Sequence, residues 1–182
     1  MKIKLSLLFL LILFSSGEVF SQDKVKHILL TKCDLPFGYY LKNNNKNLSK
    51  SGAYYSEYWN TMSPSEEKYY SKQKGGIFNA PVVSSISIDR YYSTNKIPDS
   101  LIEYHKGSLR DPGWVETTPN GKKLGDKCYS LTKNKNDGSI DYVLIVVKNK
   151  TMTVVTILNR KNSKSIPKES VEKLIEIIYS RL

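Results

Sequence analysis

Two adjacent runs near the C-terminal end constrain the fold more than anything else in the chain. The first is Tyr142-Val143-Leu144-Ile145-Val146-Val147; the second, Thr151 to Leu158, is β-branched throughout apart from Met152 and Leu158. Each is too short and too β-branched to prefer helix, and Asn149-Lys150 between them suits a tight hairpin. The first run is apolar on both faces, so it predicts a central strand covered above and below by other layers. Upstream, Asn136-Asp137-Gly138 turns the chain back to a strand near Lys127 to Thr132, and Pro119-Asn120-Gly121 turns it again to one near Trp114 to Thr117. The expected result is an antiparallel meander.

Helical spacing supplies the cover. Val171, Leu174, Ile175, Ile178 and Leu182 form one apolar stripe on a helix from about Pro167 to Arg181. A second helix is predicted from Asp99 to Leu109, with Leu101, Ile102, His105 and Leu109 on one face, and a short third one begins at the capping-box sequence Ser63-Pro64-Ser65-Glu66. Between Val82 and Tyr92, Ile86 and Ile88 alternate with Ser85, Ser87 and Asp89, which predicts a strand with one apolar side. Val25 to Thr31 reads as a first strand, Pro36 to Leu41 as a turn into a second, and Asn43 to Gly52 as a polar loop. The class is α+β: an antiparallel sheet meander covered by helices, including an amphipathic C-terminal helix.

This order of strand, helix, meander and closing helix resembles the PsbP-type sandwich of extrinsic photosystem II proteins and some bacterial envelope proteins. The stretch concerned is Val82 to Leu182, carried by Lys127-Cys128-Tyr129-Ser130-Leu131, the Tyr142 to Val147 run and the helix near Pro167. These are patterns rather than motifs, and they imply a layout without implying any functional residue.

The N-terminus carries a second signal. Lys2 and Lys4 precede an apolar stretch from Leu5 to Phe14 broken only by Ser6, and small and polar residues follow at Ser15-Ser16-Gly17. That is the order of a secretory signal peptide, with Val19 and Ser21 suited to cleavage after residue 21. The run is about half the roughly 20 residues that a membrane-spanning helix needs. A single domain from Gln22 to Leu182, secreted or periplasmic and without a transmembrane segment, is expected.

Of the 28 basic residues only Arg90, Arg110, Arg160 and Arg181 are arginines, and the formal charge is +11 against 17 acidic residues. A basic surface suits an envelope glycan, an anionic lipid or a protein partner, while export argues against nucleic acid. Specific phosphate sites favour the arginine fork, so a lysine-rich balance alone identifies no ligand. Cys33 and Cys128 are the two cysteines, and in an oxidising compartment an isolated pair predicts a disulfide.

No nucleophile elbow, zinc-protease helix, phosphate loop or dinucleotide turn occurs. His27, His105, Cys33 and Cys128 lack the short ligand spacing of a metal site, so no metal or cofactor is expected. His105 shares the apolar face of its helix and reads as a packed histidine. A hydrolase would have to pair carboxylates in space, from among Glu57, Glu66, Glu67, Glu103, Glu116, Asp89 and Asp111.

The unusual local feature is aromatic density at about residues 39 to 76. Tyr54, Tyr55, Tyr58, Trp59, Tyr69 and Tyr70 follow Tyr39 and Tyr40. Such side chains join an apolar body to a polar tip and suit recognition of sugars or peptides. On a helix, Tyr55, Tyr58, Trp59 and Met62 would share a face, a spacing that more often marks a packing face than a binding platform. The sequence therefore points to a small exported binding or accessory protein with these six aromatics as ligand-binding candidates; a secreted hydrolase and an inhibitor or immunity-type protein-binding module are the alternatives.

Overall fold

The computed structural model describes residues 30–73, 83–107, 112–117, 124–160 and 166–181. Seven strands form one antiparallel sheet in the order β1-β2-β3-β7-β6-β5-β4. They are β1 (Tyr40–Ser49), β2 (Gly52–Asn60), β3 (Ser85–Ser93), β4 (Val115–Thr117), β5 (Lys127–Asn134), β6 (Ile140–Lys148) and β7 (Thr151–Leu158). The helices are α1 (Pro64–Gln73), α2 (Asp99–Gly107) and α3 (Lys168–Ser180), and a 3-10 turn spans Lys32–Asp34. This is the α+β antiparallel arrangement expected from the sequence, with the amphipathic helix at its end. Among the described residues, no helix is long and apolar enough to cross a membrane.

Strand β6 explains the two layers. Leu144 and Val146 point to one face, where α3 contributes Val171, Leu174 and Ile178 and the N-terminal segment contributes Leu30, Leu35 and Tyr39. Val143, Ile145 and Val147 point to the other, where they meet Ile97 and Ile102 of the α2 region, with Leu101 and Trp114 alongside. A strand apolar on both faces is stable only between two such layers. Asn149 takes a φ of 55° in the β6–β7 hairpin, a left-handed conformation that asparagine tolerates.

The lead into α3 is fixed by a buried amide. Asn159 is fully buried; its Nδ2 donates to the carbonyl of Ile140 at 2.5 Å and its Oδ1 accepts from Ile166 N at 2.8 Å, while its own N–H donates to Asp141 at 2.7 Å. At α1 the predicted capping box is present, with Ser63 N donating to Glu66 Oε2 at 2.7 Å and Glu66 N donating to Ser63 Oγ at 3.3 Å.

Two local expectations are corrected. The predicted polar loop from Asn43 to Gly52 is for the most part edge strand β1, which pairs with β2 through Lys50-Ser51. An edge strand exposed on both sides needs no apolar alternation, and lysines at Lys42 and Lys46 are typical of protected edges. Leu30 and Thr31 lead into the 3-10 turn rather than continuing a strand; residues 25–29, like the expected signal peptide, His27 and the Pro119-Asn120-Gly121 turn, lie outside the described residues.

Candidate functional site

Strand β2 divides the aromatic segment between the two faces. Because successive strand residues point to opposite sides, Tyr55, Glu57 and Trp59 face the α3 layer, where all three are buried. Trp59 belongs to that core, and its indole Nε1 finds no hydrogen-bond partner among the described residues. Tyr54, Ser56 and Tyr58 face the opposite way, and Tyr58 is 38% exposed. The helical face imagined for Tyr55, Tyr58, Trp59 and Met62 does not exist, since the first three lie on a strand. Tyr69 and Tyr70 sit on α1, with their rings edge to face at 5.4 Å and Tyr69 exposed.

The register of β2 against β3 sets Tyr54 opposite Tyr91 and Ser56 opposite Asp89. Tyr54 Oη donates to Asp89 Oδ1 at 2.6 Å. Tyr54 and Tyr91 rings lie 5.0 Å apart, Tyr91 and His105 rings 5.3 Å apart, and His105 Nε2 and Tyr91 Oη share a hydrogen bond of 3.1 Å. Tyr104, 69% exposed, sets its ring edge to face with His105. Helix α2 therefore brings His105 to the aromatic segment across β3. His105, expected to be a packed or hydrogen-bonded core histidine, is half-buried and hydrogen-bonded to Tyr91 within a polar tyrosine cluster.

Burial governs the charges. It raises the Asp89 carboxyl, with the Tyr54 hydrogen bond and His105 acting in the opposite direction. It lowers His105, which favours the neutral imidazole at pH 7, and Asp89 opposes that shift. It also raises the Tyr91 and Tyr54 phenols, which stay protonated and able to donate. Around this group the same face carries Ser56, Ser87 and Thr156, and β1 continues it with Asn43, Asn45 and Asn47. The surface is an open, hydroxyl- and amide-rich sheet face interrupted by aromatic rings.

No family model, curated protein or solved structure matches the chain. The resemblance to the PsbP-type sandwich therefore brings no residue to this site, whose reading rests on geometry. Asp89 is one of seven candidate carboxylates drawn from 17 acidic residues, and Tyr91 and Tyr104 carried no signal of their own. The alternation on β3 was the available clue, because it places Asp89 and Tyr91 opposite Ile86 and Ile88.

The remaining carboxylates are dispersed. Glu57 is buried on the α3 face, accepting from Leu30 N at 3.2 Å, so the sheet separates it from Asp89. Glu66 caps α1 and Glu67 pairs with Lys42. Glu103 and Glu116 both lie 3.8 Å from Lys106 Nζ and are exposed; Asp111 lies outside the described residues.

The disulfide expectation is corrected, because Cys33 and Cys128 are both free thiols in the structure. Cys33 is exposed on the 3-10 turn, whose Asp34 is clamped by Arg181 through two hydrogen bonds of 2.7 and 2.9 Å. Cys128 instead points from β5 into the α3-side core, half-buried, and burial pushes its thiol up to about 11. Among the described residues no three metal-ligating side chains gather.

Proposed function

We propose that this chain is an exported binding or accessory protein of the cell envelope or extracellular space, and that its recognition surface is the sheet face bearing Tyr54, Tyr58, Asp89, Tyr91 and His105. The ligand class that suits it is a hydroxyl-rich one, an envelope glycan. The observation that carries this reading is the hydrogen-bonded chain of rings, in which Tyr54 is tied to Asp89 and Tyr91 to His105. Aromatic rings supply apolar faces for sugar C–H groups, and a carboxylate fixed by a neighbouring phenol accepts hydroxyl donors. Fixing these side chains before binding reduces the ordering cost on association.

The hydrolase alternative has less support, because a glycosidase needs two carboxyl groups facing one another across a cleft and those described here are capped, paired with lysine or split between faces.

A polysaccharide array probed with the mature protein tests the proposal. Tyr58→Ala and Asp89→Asn should each weaken retention about tenfold, equivalent to about 1.4 kcal/mol, with the melting temperature nearly unchanged for Tyr58→Ala. Retention equal to wild type in both variants would remove this face as the recognition surface.

A further inference from the structure

A cleft of about 630 Å³ opens on the other side of the sheet, where the β6–β7 hairpin passes the end of β3. Its volume lies in the range of roughly 300–1,000 Å³ typical of small-ligand sites. Arg90, Tyr92, Lys148, Lys150, Thr151 and Thr153 line it, and among the described residues no carboxylate does. The floor is built in: Thr153 is the cross-strand partner of Arg90, and the two residues are 3% and 9% exposed. The lysines stand at the exposed rim, and among the described residues neither is ion-paired.

The rim is held in place by the backbone. Ser93 N donates to the Lys150 carbonyl at 2.9 Å, Asn149 N donates to Asp126 Oδ2 at 2.6 Å, and Asp126 N donates to the Val147 carbonyl at 2.7 Å. Gly125 has a φ of 70°, and a Cβ there would fall 2.4 Å from the Val147 carbonyl oxygen. Only glycine lets the β5 lead-in close so tightly on this hairpin. Three features oppose an anion. Glu57 acts on Arg90 from the neighbouring strand, the Asp126 carboxylate that accepts from Asn149 N stands beside the rim, and Ser180 at the C-terminal end of α3 reaches the wall, where a helix end carries partial negative charge. Two lysines and the Arg90 guanidinium outweigh the Asp126 carboxylate and one buried glutamate that also accepts from Leu30 N.

We propose that this cleft binds a phosphate group, carried by a soluble metabolite or by a lipid headgroup. A phosphate accepts several hydrogen bonds at once, and the cleft is lined by the cationic residues Arg90, Lys148 and Lys150 and the hydroxyl residues Tyr92, Thr151 and Thr153. The site lies on the face opposite the tyrosine cluster and does not depend on it.

Inorganic phosphate and phosphatidylglycerol vesicles are the probes, used with the mature wild-type chain and with a Lys148→Gln/Lys150→Gln double variant. Both lysines are exposed, so the double variant is expected to fold and melt as wild type without ligand. Phosphate should raise the wild-type melting temperature with the logarithm of its concentration, beyond the effect of sodium chloride at equal ionic strength, and the double variant should need roughly tenfold more phosphate for the same rise. The comparison also separates binding from the general stabilisation that phosphate gives by exclusion. Vesicle flotation abolished in the double variant and competed by phosphate would support a lipid source; a phosphate response weakened in the double variant, without flotation, would support a soluble one. Equal effects of phosphate and chloride, or an unchanged phosphate response in the double variant, would overturn the proposal.

Discussion

Adjacent residues of β2 should behave as opposites when truncated. Trp59 is 5% exposed and packs in the α3-side core, whereas Tyr58 is 38% exposed on the other face. Trp59→Ala removes a large buried side chain and leaves a cavity, which costs about 3 to 5 kcal/mol. Its indole makes no hydrogen bond among the described residues, so the loss is one of packing and no partner is left unsatisfied. At roughly 2–4 °C per kcal/mol for a chain of this size, the melting temperature should fall on the order of 10 °C. Tyr58→Ala should change stability by less than about 1 kcal/mol. Urea unfolding of both variants, followed by tryptophan fluorescence for Tyr58→Ala and by circular dichroism for Trp59→Ala, measures the contrast. Trp59→Phe should recover much of the loss. Equal destabilisation by the two alanine variants, or a neutral Trp59→Ala, would refute the division of the aromatic segment between the faces.

Thiol chemistry offers a second check: an aromatic disulfide reagent should label Cys33 rapidly and Cys128 only on unfolding, since Cys128 is half-buried with its thiol raised to about 11; an intact mass two hydrogens short would contradict the free pair. The Arg181 guanidinium holds the Asp34 carboxyl well below the usual carboxylate range. A folded-state value below the unfolded one means that this contribution is present above about pH 4 and is lost as pH falls further. Asp34→Asn should therefore lower the melting temperature at pH 7 and flatten its decline below pH 4, and parallel curves for variant and wild type would count against the clamp. Asn159→Ala should cost about 2 to 4 kcal/mol by leaving buried backbone groups of Ile140 and Ile166 unpaired; chemical unfolding with an unchanged midpoint would show that water replaces the amide.

The sheet centre and α3 were legible because burial writes itself into local patterns. Residues 142–147 are apolar on both sides because they lie between two layers, and Val171, Leu174 and Ile178 keep helical spacing because one stripe of α3 meets the sheet. Strand β1 was not legible. Its residues Asn43, Asn44, Asn45 and Asn47 are exposed, so pairing with β2 leaves no trace in hydrophobicity, and the run looks like a loop. The aromatic segment was recognised as unusual, but a helical reading of Tyr55, Tyr58 and Trp59 groups residues that a strand sends to opposite faces. The Tyr54–Asp89 and Tyr91–His105 contacts join residues 35 and 14 positions apart, and only the register of β2 on β3 and the docking of α2 bring them together. The free cysteines show the same limit, since an expectation of export and a count of two suggest a bond that spatial placement does not make.

Chemical-shift mapping of the isotopically labelled chain from residue 22 to 182, titrated with soluble envelope polysaccharide fragments, tests the central claim most directly. Binding at the proposed surface predicts saturable shifts at Tyr54, Tyr58, Asp89, Tyr91 and His105, with the buried neighbours Tyr55 and Trp59 much less affected. Shifts confined to the α3 face, or none at any of these five residues, would contradict it.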